Sequence, residues 1–132
     1  MRALVGIALL ALCAAMGCGA SDRAPDAAAV ADRFHAALGE SDGRAACDEL
    51  SEETESKLEQ QEGEPCEEAL LTLELPQAAT AVRTSVYVTT ASVALDEGST
   101  TFLDEGPDGW EVAAAGCRPT APELPFECEL EG

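Results

Sequence analysis

Six cysteines and one histidine are the residues of this 132-residue chain whose side chains most readily do chemistry. A cysteine can act as a nucleophile, ligate a metal, accept a lipid or form half of a disulfide. The chain has no CxxC pair, and His35 stands apart from every cysteine, so the spacing argues against a thiolate zinc site. The pattern therefore predicts structural and anchoring roles for the cysteines and leaves no candidate for a catalytic thiol.

The first two cysteines lie in an apolar N-terminal stretch. Arg2 supplies one positive charge, and residues 3–15 follow without any charge, which is typical of a signal peptide whose apolar core is too short to span a bilayer. The segment "AMGC", residues 15–18, resembles the lipobox of bacterial lipoproteins, in which cleavage precedes a cysteine that carries diacylglycerol. Cys13 is the poorer candidate because bulky Leu12 precedes it. We expect residues 1–17 to be the signal peptide, Cys18 to be lipidated and residues 18–24 to be a short tether.

A plain secretory signal cut between residues 15 and 20 is the alternative. It would leave Cys18 as an unpaired thiol in an exported chain, which would itself need an explanation. The lipid anchor is therefore favoured. It predicts a diacylated, palmitate-bearing protein held at the extracytoplasmic face of the cell membrane.

The charge of the chain is strongly unbalanced, with 26 acidic and 7 basic residues and a formal charge of −19. Loss of Arg2 with the signal peptide would make it −20. Such a surface excludes nucleic acid as a partner and repels anionic headgroups. The excess of acid either keeps a tethered domain soluble or attracts cations and a basic envelope partner.

The spacing of apolar residues divides the rest of the chain into a helical part and a strand part. Apolar residues at helical spacing, with Pro25 and Pro65 as start signals, Asp42 and Ser51 as caps and Gly39 and Gly63 as stops, predict four helices. Alternating residues between turn signals predict four strands. The helices are expected at 25–39, 43–50, 52–62 and 65–73, and the strands near 82–88, 91–96, 100–105 and 110–116. This order predicts one α+β domain over residues 25–132, with the N-terminal helices packed on a curved antiparallel sheet.

An oxidising compartment makes Cys47, Cys66, Cys117 and Cys128 two disulfides, for which three connectivities are possible. Pairing of Cys47 with Cys66 and of Cys117 with Cys128 suits the elements best. The first bond would join the second helix to the fourth, and the second would fold the proline-rich tail onto the last strand.

The segments "AVADRFHAAL", "AACDEL", "GEPCEEAL", "FLDEGPDGWEVAAAGCRP" and "PFECELEG" together resemble small exported lipoproteins of high-GC Gram-positive bacteria. Their domains are similar to the nuclear-transport-factor-2-like, or SnoaL-like, cone fold. The resemblance implies helices that close one end of a bent sheet and leave a conical pocket. It implies no reaction, because that fold carries both enzymes and binding proteins.

Candidate residues for such a pocket are mostly apolar. We expect Phe34, Tyr87, Val88 and Trp110 to line it, while Asp32 and His35 lie beside the apolar stripe of the first helix, in positions typical of a solvated carboxylate and a boundary histidine. Inward-facing positions are expected at Val30, Phe34, Leu38, Leu70, Val86, Val88, Phe102 and Val112. The turn "DEGPDG" departs from the EF-hand pattern, and no catalytic residue, metal or cofactor is predicted.

These observations favour a membrane-anchored, non-catalytic binding or accessory domain whose partner is the membrane and, beyond it, a small apolar ligand or a basic envelope protein. Two alternatives stay open. One is a pocket enzyme that uses acid–base chemistry, which would need a buried Asp or His converging with Tyr87. The other is a structural envelope-interaction protein, which a cone filled by its own side chains would favour.

Overall fold

The computed structural model describes residues 23–132 and shows the predicted α+β architecture. Four helices come first: α1 (Ala24–Gly39), α2 (Gly43–Cys47), α3 (Glu52–Glu62) and α4 (Cys66–Thr72). Six strands follow: β1 (Ala81–Tyr87), β2 (Thr90–Leu95), β3 (Thr100–Gly106), β4 (Gly109–Pro119), β5 (Phe126–Glu127) and β6 (Leu130–Glu131). The expected signal peptide, Cys18 and the expected tether up to Asp22 lie outside the described residues.

The helices begin and end at the residues that local chemistry favours. The Asp42 carboxylate accepts a hydrogen bond from the Ala45 amide at 3.0 Å, and the Ser51 hydroxyl accepts one from the Thr54 amide at 3.2 Å. Gly63 ends α3 in the left-handed conformation at φ 68°, which glycine adopts without a steric penalty. The predicted caps at Asp42, Ser51 and Gly63 are therefore confirmed, whereas α1 runs through Gly39 and has Glu40 as its C-cap.

Helix α2 is shorter than predicted, ending at Cys47 instead of Leu50. The next residues turn to pair with β4, where the Val112 amide donates to the Glu49 carbonyl at 2.8 Å and the Ser51 amide donates to the Val112 carbonyl at 3.0 Å. Tertiary pairing thus overrides the helical pattern of this segment.

The sheet is antiparallel, in the order β1-β2-β3-β4-β5, with β6 also paired to β4. The outer edge of β4 is shared among Leu50, β6 and β5, so β1 is the free edge of the meander. Strands β5 and β6 have two residues each, which is too short for an alternating pattern, and the sequence did not predict them.

The core lies between the helices and one face of the sheet. Helix α1 crosses β1, β2 and β4, and α3 packs on β4 and β6. The largest completely buried apolar side chains fill this space: Phe34, Leu70, Val93, Leu103 and Val112. The volume in which a conical pocket was expected is therefore occupied by the protein's own side chains.

Both disulfides have the predicted pairing. Cys47 is bonded to Cys66 and joins α2 to the start of α4, while Cys117 is bonded to Cys128 and joins β4 to the C-terminal tail. The second bond holds β5 and β6 against the outer edge of β4.

Candidate functional site

The face of the sheet that the helices leave uncovered is the candidate site, and we call it the open face. The antiparallel register places Arg83, Ser85 and Tyr87 of β1 opposite Ala94, Ser92 and Thr90 of β2, and β3 adds Thr100, Phe102 and Asp104 to the same side. Successive residues of a strand point to opposite faces, so the neighbours of these residues, such as Val93 and Leu103, belong to the core. The open face is thus built from the polar and half-buried half of the strand pattern.

A depression of about 470 Å³ runs across the open face. Phe126 of β5 forms one wall and meets Phe102 edge to face, with ring centroids 5.2 Å apart. The Cys117–Cys128 bond lies two residues beyond Phe126 and holds this wall in place. We call this depression the groove; it is lined by Arg83, Ser85, Tyr87, Thr90, Ala91, Ser92, Ala94, Thr100, Phe102 and Phe126.

No carboxylate belongs to the residues that line the groove, although the chain has 26 acidic residues and Asp104 lies on the same face, opposite Thr90. By contrast, a larger depression of about 650 Å³ beside the C-terminal tail is lined by Glu74, Glu127, Glu129 and Glu131 as well as Arg118. The only charged side chain of the groove is Arg83, which makes no ion pair with any residue in 23–132. The groove lining therefore combines one positively charged side chain with three aromatic rings, while Asp104 lies beside it on the same face.

The four expected pocket residues do not lie together. Phe34 is completely buried in the core, and Val88 is 82% exposed in the turn after β1. Tyr87 lies at one end of the groove, whereas Trp110 lies in a separate depression near Arg23. The expected grouping is wrong because the helices pack directly on the sheet and leave no space between these side chains. Val86 is half-buried and packs against the core as expected, whereas Phe102, also expected to face inward, faces the groove.

His35 was expected at the boundary of the core, and that expectation is wrong, since its side chain is completely buried. Its Nδ1 lies 2.6 Å from the Pro76 carbonyl oxygen, and its Nε2 lies 2.8 Å from the Thr101 hydroxyl. A carbonyl oxygen can only accept, so Nδ1 carries the proton and the Thr101 hydroxyl donates to Nε2. Burial lowers the pKa of His35, although the Pro76 carbonyl and nearby acids oppose this effect.

Both ring nitrogens of His35 are therefore occupied by fixed protein partners. The imidazole joins α1 to the segment after α4 and to β3, and the Ala78 amide strengthens this junction by donating to the His35 carbonyl at 2.8 Å. Such an arrangement stabilises the fold and leaves neither nitrogen free for proton transfer to a ligand.

Asp32 is partly buried and also contacts the protein itself. Its carboxylate accepts a hydrogen bond from the Ala81 amide at 2.9 Å, which fixes the start of β1 against α1. It faces neither the groove nor Tyr87, which is 63% exposed. The Asp, His and Tyr that an acid–base site would have combined thus lie in three separate environments.

Arg23 organises the end of the sheet where the described chain begins. Its Nη1 donates to the Val88 carbonyl at 2.7 Å, and its guanidinium lies over the Trp110 ring, 4.9 Å from the centroid. Its Nη2 is 2.6 Å from a Glu105 carboxylate oxygen, an ion pair by distance whose angle is unsuitable for a hydrogen bond. We call this end, with the turns at 88–89 and 107–108, the Arg23 end.

Within residues 23–132, no three His, Cys, Asp or Glu side chains are grouped as a metal site. No helix in the same range has the length and hydropathy needed to cross a membrane.

The groove was missed by sequence reasoning because one of its walls, Phe126, comes from a two-residue strand. The alternation of Arg83, Ser85 and Tyr87 could have indicated an open sheet face, and "PFEC" beside a disulfide could have indicated a wall.

Comparison of the chain with protein-family models, with curated proteins and with solved structures found no match.

Proposed function

We propose that this protein is a lipoprotein, anchored through Cys18 at the extracytoplasmic face of the membrane, which binds a small ligand in the groove and catalyses no reaction itself. The observation that carries the binding role is the groove: a concave surface with no acid among its lining residues, on a chain of charge −19. The anchor depends on the sequence of residues 1–18. The resemblance to SnoaL-like lipoproteins is a further proposal of the same kind.

The chemistry of the groove suggests the ligand class. Tyr87, Phe102 and Phe126 offer apolar and aromatic surface, and Ser85, Ser92, Thr90 and Thr100 offer hydroxyl groups that can orient a polar substituent. Arg83 supplies a cation that is not already paired within the described residues, so a carboxylate or sulfonate would find a partner there. We therefore propose a small, largely apolar or aromatic molecule with one acidic group as the ligand.

A structural role in the envelope is the second candidate, because the interior between helices and sheet is filled. The two functions differ in one respect that can be measured. A binding protein needs the groove residues for its function, whereas a spacer or scaffold does not.

The anchor is tested by labelling cells with a palmitate analogue and comparing the wild type with Cys18→Ser. We expect label and membrane association in the wild type only. Intact mass should give an N-terminus at Cys18 carrying diacylglycerol. Release of an unmodified wild-type chain into the soluble fraction would contradict the anchor.

The groove is tested with the fluorescent dye 8-anilinonaphthalene-1-sulfonate, which is aromatic and has one sulfonate. We expect enhanced emission with the folded wild type and a strongly reduced enhancement with Arg83→Ala or Phe102→Ser. Arg44→Ala is the matched control, because Arg44 is an exposed arginine on α2 that lies outside the groove. Equal dye binding by all four proteins would contradict the groove as a ligand site and favour the structural role.

A further inference from the structure

The turn between β1 and β2 exposes two large side chains in succession. Val88 is 82% exposed and Tyr87 is 63% exposed. Val88 also has φ 49°, which is unusual for a β-branched residue, since Gly, Asn or Asp is the ordinary choice for positive φ in a tight hairpin turn. The local backbone therefore does not explain an apolar residue at this position.

The turn is fixed beside the point where the described chain begins. Arg23 Nη1 donates to the Val88 carbonyl at 2.7 Å, and the same guanidinium is held by Glu105 and by the face of Trp110. The exit of the tether and the exposed Val88 thus belong to one rigid end of the domain.

The tether is too short to carry this end far from a lipid on Cys18. Five residue steps separate Cys18 from Arg23, and an extended chain covers about 17 Å at most over that number. A tether this short gives the nearest surface of the domain a high effective concentration at the bilayer.

We propose that the Tyr87–Val88 turn docks on the interfacial region of the lipid bilayer beside the anchor. This inference rests on the proposed lipidation of Cys18. Val88 enters the boundary between headgroups and acyl chains, and the amphipathic Tyr87 ring lies at headgroup level. Glu105 and Asp108 at the same end oppose anionic headgroups, so the contact is shallow and weakens as anionic lipid increases.

This orientation also places one end of the groove at the membrane surface, because Tyr87 belongs to both the turn and the groove lining. An apolar ligand could then enter the groove from the lipid phase.

The chain offers a matched control for the test. Val82 is 64% exposed on the same strand, six residues before Val88 and therefore about 20 Å away along β1. Val88→Cys and Val82→Cys would each carry the environment-sensitive fluorophore NBD in the full, lipidated protein, in which Cys18 carries diacylglycerol on its sulfur and the other four cysteines are disulfide-bonded. Each labelled protein is reconstituted in phosphatidylcholine vesicles with and without doxyl-labelled lipid, and with added phosphatidylglycerol.

We expect a blue shift and quenching by doxyl lipid for the label at residue 88 and neither effect at residue 82. Phosphatidylglycerol should reduce both effects at residue 88. Intact mass of the same samples reports lipidation independently. A lipidated protein in which the two labels behave alike would overturn the docking proposal while leaving the anchor intact, and an unmodified Cys18 would overturn both.

Discussion

The two faces of the sheet lie in different environments, although they are built from the same strands. On β3, Thr101 and Leu103 are completely buried against the helices, while the alternate residues Thr100 and Phe102 face the groove and remain partly exposed. The helix-covered face is filled by side chains, and its one histidine is tied to fixed partners. The space between helices and sheet is thus packed in residues 23–132, and the groove lies on the opposite face, which reverses the expectation of a pocket between helices and sheet.

The largest expected effect is on the free energy of unfolding, and it should differ between two adjacent residues of β3. Leu103→Ala should lower the free energy of unfolding by about 2–5 kcal/mol, because it leaves a cavity in a completely buried part of the core. Phe102→Ala should lower it by only about 1 kcal/mol, since it removes one aromatic contact, with Phe126, from a half-buried position. Urea unfolding with the disulfides intact measures both values. Equal losses would show that the open face is as important to packing as the covered one.

The two disulfides allow a second comparison, because one joins two helices and the other joins β4 to the tail that carries Phe126. Removing either pair as a double Cys→Ala variant should cost about 3 kcal/mol by the chain-entropy model. Only loss of Cys117–Cys128 should release Phe126 from the groove, so only that variant should lose dye binding while still folded. Limited proteolysis should then cut within residues 119–127 in that variant and not in the variant lacking Cys47 and Cys66. Dye binding that survives loss of Cys117–Cys128 would remove Phe126 from the proposed site.

On the covered face, the protonation of His35 makes the free energy of unfolding depend on pH. Because burial lowers its pKa in the folded state, the unfolded chain binds more protons below about pH 6.5, and stability falls as the pH decreases from there toward the folded-state pKa. His35→Gln should cost about 1–3 kcal/mol near pH 7.5, since a glutamine cannot satisfy both Pro76 and Thr101. The variant should also lose part of the pH dependence between pH 7.5 and 5.5. Urea unfolding at several pH values measures this, and parallel curves for the two proteins would contradict a buried neutral histidine.

Much of the fold could be predicted from the sequence because the signals were local. The caps Asp42 and Ser51, the stop at Gly63 and the change of period after Pro76 each act within a few residues, and the elements appear close to the expected bounds. The disulfide pairing followed from the order of these elements. The C-terminal end of the predicted second helix was wrong because its partner, Val112, is more than 60 residues away in sequence.

The site was less predictable, since it depends on which face of each element meets another. His35 lies beside the apolar stripe of α1 in the helical pattern, but Thr101 and Pro76 accommodate its ring in the core. Val88 is an apolar residue of a kind usually found in a core, yet it lies in a turn. Neither outcome can be read from periodicity, because hydrogen-bond partners and turn positions are set by the distant chain.

The smallest expected effects on stability come from replacing two arginines, one on each side of the sheet. Arg33 on α1 makes a two-point contact with Glu49, at 2.8 and 3.3 Å, and this contact raises the pKa of the arginine. Arg33 is exposed and Glu49 is only partly buried, so solvent and salt screen the pair and Arg33→Ala should cost no more than about 0.5–1 kcal/mol. Arg83→Ala should change stability by less than about 0.5 kcal/mol, because Arg83 is exposed and has no ion-pair partner among residues 23–132. Its loss should appear instead in dye binding, which Arg33→Ala should leave unchanged. If Arg83→Ala proved the more destabilising of the two, Arg83 would have a structural role, and the groove would lose the charge on which its proposed ligand class depends.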